Sequence, residues 1–245
     1  MSDTQNTHSS TTTVLITGAN KGLGYETARR LGELDWQIFL GARDEVRGRE
    51  AAERLADDGA DVTFVPLDVT SDESVDAAVQ AVRERTDRLD VLINNAGVIG
   101  EPVAPAETLP RHFLPVFGVN VLGPVRVTHA FLPLLRAGHD PRVVNVSSGN
   151  GSMTIVTDPE RLESTIDHLM YPSSKAALNM VTTQYAKAVP EIRFNLADPG
   201  FTATDLNGHQ GTQTITEGTD AIFELATSSP GPTGHYRDRE GALPW

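Results

Sequence analysis

Cysteine is absent from the 245-residue chain. This absence excludes disulfides, thiol nucleophiles, iron–sulfur clusters and zinc sites built on cysteine. Lysine is nearly absent, since only Lys21, Lys175 and Lys187 contribute to the 20 basic residues. The seven histidines show no metal-ligand spacing such as H-E-x-x-H, so we expect no metal site.

A positive charge excess is also lacking, because 33 acidic residues give a formal net charge of −13. Phosphate backbones and anionic membrane surfaces both require a basic face, so we expect no nucleic-acid and no membrane partner. No apolar run approaches the roughly 20 residues of a membrane-spanning helix. Residues 1–12 are polar and lack a secretory pattern, which predicts a disordered lead-in to one domain over 13–245 and a cytoplasmic protein.

Short apolar runs alternate with amphipathic segments along the rest of the chain. The pattern predicts strands over 14–16, 36–40, 62–67, 89–93, 143–146, 192–196 and 234–237. It predicts helices over 22–34, 45–56, 73–85, 107–118, 120–136, 171–188 and 217–227. This alternation indicates the α/β class, as a single-domain, Rossmann-like, doubly wound parallel sheet with helices on both faces. Ligands of such sheets bind at the carboxyl ends of the strands. Residues 149–170 and 201–216 follow strand ends and are expected to overhang that edge.

A glycine-rich loop, Thr17–Gly24, follows the first predicted strand and opens the first predicted helix. Glycines permit a tight turn and let a pyrophosphate approach the helix N-terminus, where free N–H groups favour an anion. The spacing is G-x-x-x-G-x-G, and a glycine triplet alone is also compatible with an ordinary strand–helix turn. Its position directly after the first strand favours a dinucleotide site.

The end of the second predicted strand bears on which dinucleotide binds. An acidic residue there would bind the ribose hydroxyls of NAD. Here Ala42 occupies that position, Arg43 follows it, and Lys21 lies in the glycine loop. Two cations suit the 2′-phosphate of NADP, so we expect NADP. Alternatively, Arg43 begins a solvated helix and pairs with Asp44 or Glu45.

Tyr171 and Lys175 lie four residues apart near the start of a predicted helix, which places them on one helical face. A nearby positive charge can lower the pKa of a phenol from about 10 toward neutrality. Such a tyrosine could exchange a proton near pH 7. On its own, the Tyr-x-x-x-Lys spacing also occurs on ordinary amphipathic helices.

Several motifs occur together in a fixed order, and this order is informative. The motifs are Thr17-Gly-x-x-x-Gly-x-Gly24, Asn94-Asn-Ala-Gly97, Asn120, Ser147-Ser148, Tyr171-x-x-x-Lys175 and Pro199-Gly200. With these motifs in this order, the chain resembles the short-chain dehydrogenase/reductase family, in its single-domain form, over about residues 13–240.

The resemblance implies a role for each matching residue. Tyr171 would be the general acid, and Ser148 would hydrogen-bond the substrate oxygen. Lys175 would lower the pKa of Tyr171 and bind the nicotinamide ribose, and Asn120 would hold a water in a proton relay. The cofactor-binding residues it implies are Gly18, Asn20, Lys21, Gly22, Leu23, Gly24, Arg43, Asp68, Val69, Asn95, Ala96, Gly97, Tyr171, Lys175, Pro199, Gly200 and Thr202.

Structural roles are an alternative for several of these residues. Ser147 could take the place assigned to Ser148. Asn120 and Asp68 could each cap a helix. Asn94 and Asn95 could serve only to satisfy main-chain groups between strands.

The spacing from Ser148 to Tyr171 is longer than is usual in the family, and the extra residues, about 157–168, are predicted to form an acidic helical insertion. Larger insertions of this kind occur in monomeric carbonyl reductases of the family. The insertion could cover the substrate pocket or a subunit interface, so monomer and homo-oligomer both remain open. The substrate site is expected to comprise Ser148 with the apolar residues Met153, Ile155, Val156 and Phe201.

These features predict an NADPH-dependent reductase of a ketone or aldehyde carried on a hydrophobic body, with a small-molecule substrate and Tyr171 as proton donor. One alternative is an NAD(P)-dependent secondary alcohol dehydrogenase, and another is a 3-oxoacyl-thioester reductase. A third, from a different class, is a cofactor-sensing binding protein, although such a protein is expected to lack part of the Asn–Ser–Tyr–Lys set.

Overall fold

The computed structural model describes residues 11–245. Within this range seven parallel strands form one sheet in the order β3-β2-β1-β4-β5-β6-β7. The strands are β1 Thr13–Thr17, β2 Gln37–Ala42, β3 Val62–Pro66, β4 Val91–Asn94, β5 Arg142–Val146, β6 Arg193–Ala197 and β7 Tyr236–Arg237. Because β1 lies between β2 and β4, the chain reverses its direction of growth across the sheet at β1. A cleft is expected at such a switch point.

Helices cover both faces of the sheet, as predicted. They are α1 Gly22–Gly32, α2 Glu45–Asp57, α3 Asp72–Arg83, α4 Pro110–Phe117, α5 Gly123–Arg136, α6 Met153–Val156, α7 Met170–Ala188, α8 Ile215–Gly218 and α9 Asp220–Thr227. The fold is therefore the predicted single-domain, Rossmann-like α/β fold.

Alternating strand residues divide the core into two layers. Val14, Ile16 and Ile38 belong to one buried cluster, which includes α1, α2 and α9. Leu15 and Phe39 belong to the other, on the side of α3 and α5. Successive side chains of a strand point to opposite faces, so a run of consecutive apolar residues is what a sheet covered on both sides requires.

Three predicted elements differ from the structure. The helix expected over 217–227 is divided into α8 and α9 at Thr219. The insertion over 157–168 is not a regular α-helix, and its helical part is a single 3₁₀ turn, Leu162–Thr165. Between α4 and α5, residues Gly118–Leu122 form a π-helical turn in which the N–H of Gly123 bonds to the carbonyl of Gly118.

None of the helices in residues 11–245 is long and apolar enough to cross a membrane. The lead-in expected over 1–12 lies mainly outside the described residues.

Candidate active site

The glycine loop joins β1 to α1 and leaves the N-terminus of α1 open. Gly18 and Gly22 have positive φ angles of 64° and 57°, a region that L side chains rarely adopt. A β-carbon at Gly18 would also lie 3.0 Å from the Cα of Ala96. Lys21 is the residue directly before α1, and its side chain does not cap the helix. The first N–H groups of α1 therefore receive no hydrogen bond from Lys21. The loop therefore has the geometry of an anion cradle.

The end of β4 is tied to this loop by hydrogen bonds. The Thr17 hydroxyl oxygen accepts from the main-chain N–H groups of Asn95 and Ala96, each at 3.0 Å. The Asn95 amide donates to the carbonyl oxygens of Thr17 and Gly18 at 2.9 and 3.0 Å. A β-carbon at Gly24 would lie 2.5 Å from that amide nitrogen. Gly24 therefore serves close packing of α1 and does not border the cleft.

Asn94 has a structural role of the kind considered above. Its buried amide donates to Asn145 on β5 at 2.8 Å and to Thr128 on α5 at 3.3 Å. These bonds link two strands and a helix beneath the cleft.

One cleft of about 610 Å³ runs along the carboxyl ends of the strands. Most of the predicted cofactor residues border it, namely Gly18, Asn20, Lys21, Gly22, Leu23, Arg43, Asp68, Val69, Asn95, Ala96, Gly97, Tyr171, Lys175 and Pro199. Gly200 and Thr202 do not. Thr202 is buried and its hydroxyl donates to the Pro199 carbonyl at 2.8 Å, so its side chain is committed to the loop.

Positively charged side chains lie at the end of the cleft beside α2. Arg43 is exposed there, and no salt bridge to Asp44 or Glu45 is present within residues 11–245. Asp44 instead caps α2 by accepting from the Arg47 N–H at 3.1 Å. Arg47, which sequence reasoning missed, also borders the cleft. Its position on the first turn of α2, four residues after Arg43, could have indicated it.

An ion pair joins Lys21 to the other side of the cleft. Its ammonium donates to the Asp205 carboxylate at 2.6 Å, and both side chains are more than half exposed. Asp205, Thr204 and Leu206 also border the cleft, and they belong to the segment 201–216 that was expected to overhang this edge. Lys21 is therefore already paired with a carboxylate, which competes with any phosphate for its charge.

These features fit a dinucleotide. The glycine loop offers free N–H groups, the cleft is long enough to reach from Arg43 to Tyr171, and Arg43, Lys21 and Arg47 supply positive charge at the adenosine end. Asp68 also borders the cleft, with its carboxylate accepting from the Thr70 N–H and hydroxyl at 2.9 and 2.7 Å. Ser71, and not Asp68, caps α3.

Asn120 lies within the π-helical turn and is fully buried. Its amide donates to the Val98 carbonyl at 2.9 Å and to the Ser174 hydroxyl at 3.0 Å, and its carbonyl oxygen accepts from the Val98 N–H at 2.9 Å. A β-carbon at Gly97 would lie 3.6 Å from that oxygen and 3.8 Å from the Lys175 ammonium. Asn120 therefore faces the same place as Lys175 and fixes the loop after β4. It does not cap a helix.

The two serines after β5 have different surroundings. Ser147 is buried and its hydroxyl donates to Asn179 at 2.5 Å. The Ser148 hydroxyl accepts from the Asn150 N–H and amide, both at 3.3 Å. These bonds leave the Ser148 proton free for Tyr171, so a substrate oxygen would have to replace Tyr171 as its acceptor. Ser147 borders the cleft, and Ser148 does not.

Tyr171 and Lys175 project from the first turns of α7 toward the cleft, with the ammonium 5.5 Å from the centre of the phenol ring. The ammonium donates to the Val146 carbonyl at 2.7 Å. A hydrogen bond with Ser148 favours the ionised Tyr171. Helical spacing places Tyr171 and Lys175 side by side on α7, and the loop after β5 brings Ser148 to Tyr171.

The expected lowering of the Tyr171 pKa is not found. Burial raises the pKa of Tyr171 to about 12, outweighing the Ser148 hydrogen bond, and the charge of Asp198 raises it further. Burial also lowers the pKa of Lys175 to about 8, an effect that Asp198 opposes. The spacing identified the neighbours correctly, but desolvation reverses the direction of the shift in this structure.

The predicted substrate residues are only partly brought together. Ile155 is 4% exposed and packs inward, so it cannot line an open pocket. Met153 and Phe201 are exposed, but neither they nor Val156 border the cleft. The apolar residues that border the cleft include Val98, Ile99 and Leu206, together with Val119.

The family model for short chain dehydrogenases matches residues 12–214. The chain belongs to this family. It is 40% identical over 222 residues to short-chain dehydrogenase anuI of Penicillium roqueforti, an alignment covering 87% of this chain and 88% of that protein. It is 32% identical over 267 residues to a (+)-neomenthol dehydrogenase of Arabidopsis thaliana, covering 86% of this chain and 90% of that protein.

Solved structures of short-chain dehydrogenases agree with the fold. An NADPH-bound carbonyl reductase from chicken fatty liver superposes with a TM-score of 0.85 at 29% identity, covering 96% of this chain and 99% of that one. The salutaridine reductase of Papaver somniferum superposes with a TM-score of 0.79 at 26% identity, covering 92% and 99%.

The Lys21–Asp205 pair gives a testable prediction for this short-chain dehydrogenase. Asp205→Asn should tighten NADPH binding about two- to fivefold, because an exposed ion pair contributes only about 0.2–1 kcal/mol. Releasing Lys21 leaves its charge available to a phosphate. Fluorescence titration measures the change, with Asp57→Asn, an exposed acid at the end of α2, as the control for net charge. Weaker binding in Asp205→Asn would contradict the competition between Asp205 and phosphate.

Proposed function

We propose that the protein reduces a ketone or aldehyde to an alcohol, with NADPH as cofactor. The observation that carries this proposal is the single cleft with Tyr171 and Lys175 at one end and Arg43 and Lys21 at the other. The relatives named above include a carbonyl reductase with NADPH bound.

When bound, the nicotinamide cofactor supplies the hydride for the carbonyl carbon. Ser148 hydrogen-bonds the carbonyl oxygen and polarises it. Tyr171 donates the proton that this oxygen requires as it becomes an alkoxide. At neutral pH Tyr171 is protonated, since its pKa is raised to about 12. This is the form that a proton donor needs, and it favours the reductive direction.

Lys175 and Asn120 support this proton transfer. The Lys175 ammonium lies beside the Tyr171 ring and stabilises the negative charge that Tyr171 gains when it gives up its proton. Asn120 fixes the loop beside Gly97 through two hydrogen bonds to Val98, is joined to α7 by a third to Ser174, and lies close to the ammonium. This position suits a relay that returns a proton from solvent.

The substrate is proposed to carry its carbonyl on a hydrophobic body. Apolar side chains line the cleft, among them Val98, Ile99, Val119 and Leu206. Carboxylate and phosphate substrates are disfavoured because the charge beside Ser148 is negative, coming from Asp198 and Glu163.

The test compares oxidation of NADPH and NADH over a panel of ketones, aldehydes and 3-oxoacyl thioesters. Faster turnover with NADPH on apolar ketones or aldehydes is expected. Turnover of the thioesters alone would contradict the proposed substrate class and favour a 3-oxoacyl-thioester reductase. Tight NADPH binding without turnover of any carbonyl would favour a cofactor-sensing protein instead, and faster alcohol oxidation with NAD would favour the dehydrogenase.

A further inference from the structure

A buried carboxylate, Asp198, lies directly after β6 and is 5% exposed. Its Oδ1 accepts a hydrogen bond from the N–H of Gly200 at 2.9 Å, which shapes the turn after β6. Its Oδ2 lies against Gly149, since a β-carbon there would lie 3.2 Å from it. Asp198 therefore lies where the end of β6 meets the loop after β5 that carries Ser148, which we call the Ser148 loop.

The insertion adds a second carboxylate at the same place. A β-carbon at Gly149 would lie 2.7 Å from Oε1 of Glu163 and 3.2 Å from Oδ2 of Asp198. A side chain at this position would therefore have to displace the Glu163 carboxylate. Glu163 belongs to the 3₁₀ turn Leu162–Thr165, so the insertion lies against the Ser148 loop and is not confined to a distant surface.

Two further hydrogen bonds hold the Ser148 loop, one from β7 and one from α7. Tyr236 on β7 donates its phenol proton to the Ser148 carbonyl at 2.6 Å. The Asn179 amide on α7 donates to the Gly151 carbonyl at 3.1 Å. The groups whose charge or ionisation is coupled to Asp198 are Tyr171 and Lys175 on α7, Glu163 in the insertion, and Tyr236 with Asp238 in and after β7.

We propose that Asp198 is a positioning residue of this site. Its carboxylate holds the turn after β6 against the Ser148 loop and presents a negative charge to Tyr171 and Lys175, and the neighbouring Glu163 of the insertion makes that carboxylate harder to ionise. The proposal rests on the proposed function for its catalytic meaning, but the charge relation between Asp198 and Tyr171 can be measured without turnover.

The negative charge of Asp198 shifts the pKa values of both Tyr171 and Lys175 in the direction that reduction requires. It raises the pKa of Tyr171, which keeps the phenol protonated, and it raises the pKa of Lys175, which keeps the ammonium charged. Burial raises the pKa of Asp198 itself to about 6, and the charges of Asp238 and Glu163 add to this effect. Asp198 therefore loses its charge as the pH falls through about 6.

The first experiment measures the ionisation of Tyr171 by ultraviolet difference absorbance in the full chain, with Tyr171→Phe subtracted. In Asp198→Asn the Tyr171 phenolate should appear about one pH unit lower than in the unmodified chain, as expected when a nearby like charge is removed. If Asp198 had only a structural role, the Tyr171 phenolate would appear at the same pH in Asp198→Asn as in the unmodified chain. An unchanged titration in a folded Asp198→Asn protein would overturn the proposal, whatever the protein catalyses.

A second variant decides the matter even where Asp198→Asn does not fold. Carbonyl reduction by the unmodified chain should fall off at acid pH, giving an acid limb near pH 6, because a neutral Asp198 is a weaker acceptor for the Gly200 N–H and no longer holds the turn after β6 as firmly beside the Ser148 loop. Glu163→Gln should move this acid limb to lower pH, since removing its charge lowers the pKa of Asp198. Glu160→Gln, an exposed acid of the same insertion, should leave the limb unchanged. A limb that stays in place in Glu163→Gln would refute the role of Glu163 and Asp198, whereas absence of all turnover would refute the proposed function and leave the absorbance experiment to decide.

Discussion

Tyr171→Phe should lower kcat for carbonyl reduction by about 10²- to 10⁴-fold, the contribution usual for a positioned general acid. The variant removes one hydroxyl and keeps the ring beside Lys175, so the shape of the cleft is preserved. Affinity for NADPH should therefore change little. Stopped-flow measurement of NADPH consumption at saturating carbonyl separates the two effects.

Tyr185→Phe is the matched control for this result. Tyr185 lies on the same helix, α7, but stacks on Phe194 in the core with ring centres 5.1 Å apart. Loss of its hydroxyl should leave kcat nearly unchanged. If Tyr171→Phe also retained near-full turnover, the proton would come from another group and the proposed mechanism would be wrong.

The elements that the sequence predicted well are those whose signal is local. The buried strands, the glycine loop and the four-residue spacing of Tyr171 and Lys175 each depend on neighbours along the chain. For this reason the fold class and the placing of Tyr171 and Lys175 on one helical face could be predicted with no structure. The approach of Ser148 to them was implied only by the resemblance to the family.

What the sequence did not predict depends on distant partners or on burial. Lys21 and Asp205 are far apart along the chain, and nothing in either segment indicates their ion pair. Ile155 is apolar, and a short helix can turn such a residue either toward a pocket or toward the core. The pKa of Tyr171 depends on desolvation, which a spacing of residues does not report.

The π-helical turn Gly118–Leu122 is a further example. Helix periodicity predicts two helices around it, and an i→i+5 bond leaves no clear signature in the pattern of apolar residues. Yet this turn places Asn120 against Val98 and Ser174. The residue type was recognised from the motif, while its position required the structure.

Cofactor discrimination is the second large effect expected. Arg43→Ala and Lys21→Ala should each raise KM for NADPH about 10- to 100-fold, since a hydrogen bond to a charged group contributes about 1.5–3 kcal/mol. KM for NADH should be nearly unchanged, because NADH lacks the 2′-phosphate. Lys21 is expected to show the smaller effect, since it must first leave Asp205.

The controls for this experiment use the same residue types on neighbouring elements. Arg49→Ala removes an arginine of α2 that pairs with Glu45 at 3.2 Å and does not border the cleft. Lys187→Ala removes an exposed lysine at the end of α7. Both controls change the net charge by the same amount as the test variants, so they reveal any long-range attraction of the cofactor. Equal weakening of NADH and NADPH binding by Arg43→Ala and Lys21→Ala would mean that these cations bind the pyrophosphate or adenine. The preference for NADPH would then need another source. Arg47 is the remaining cation at that end of the cleft.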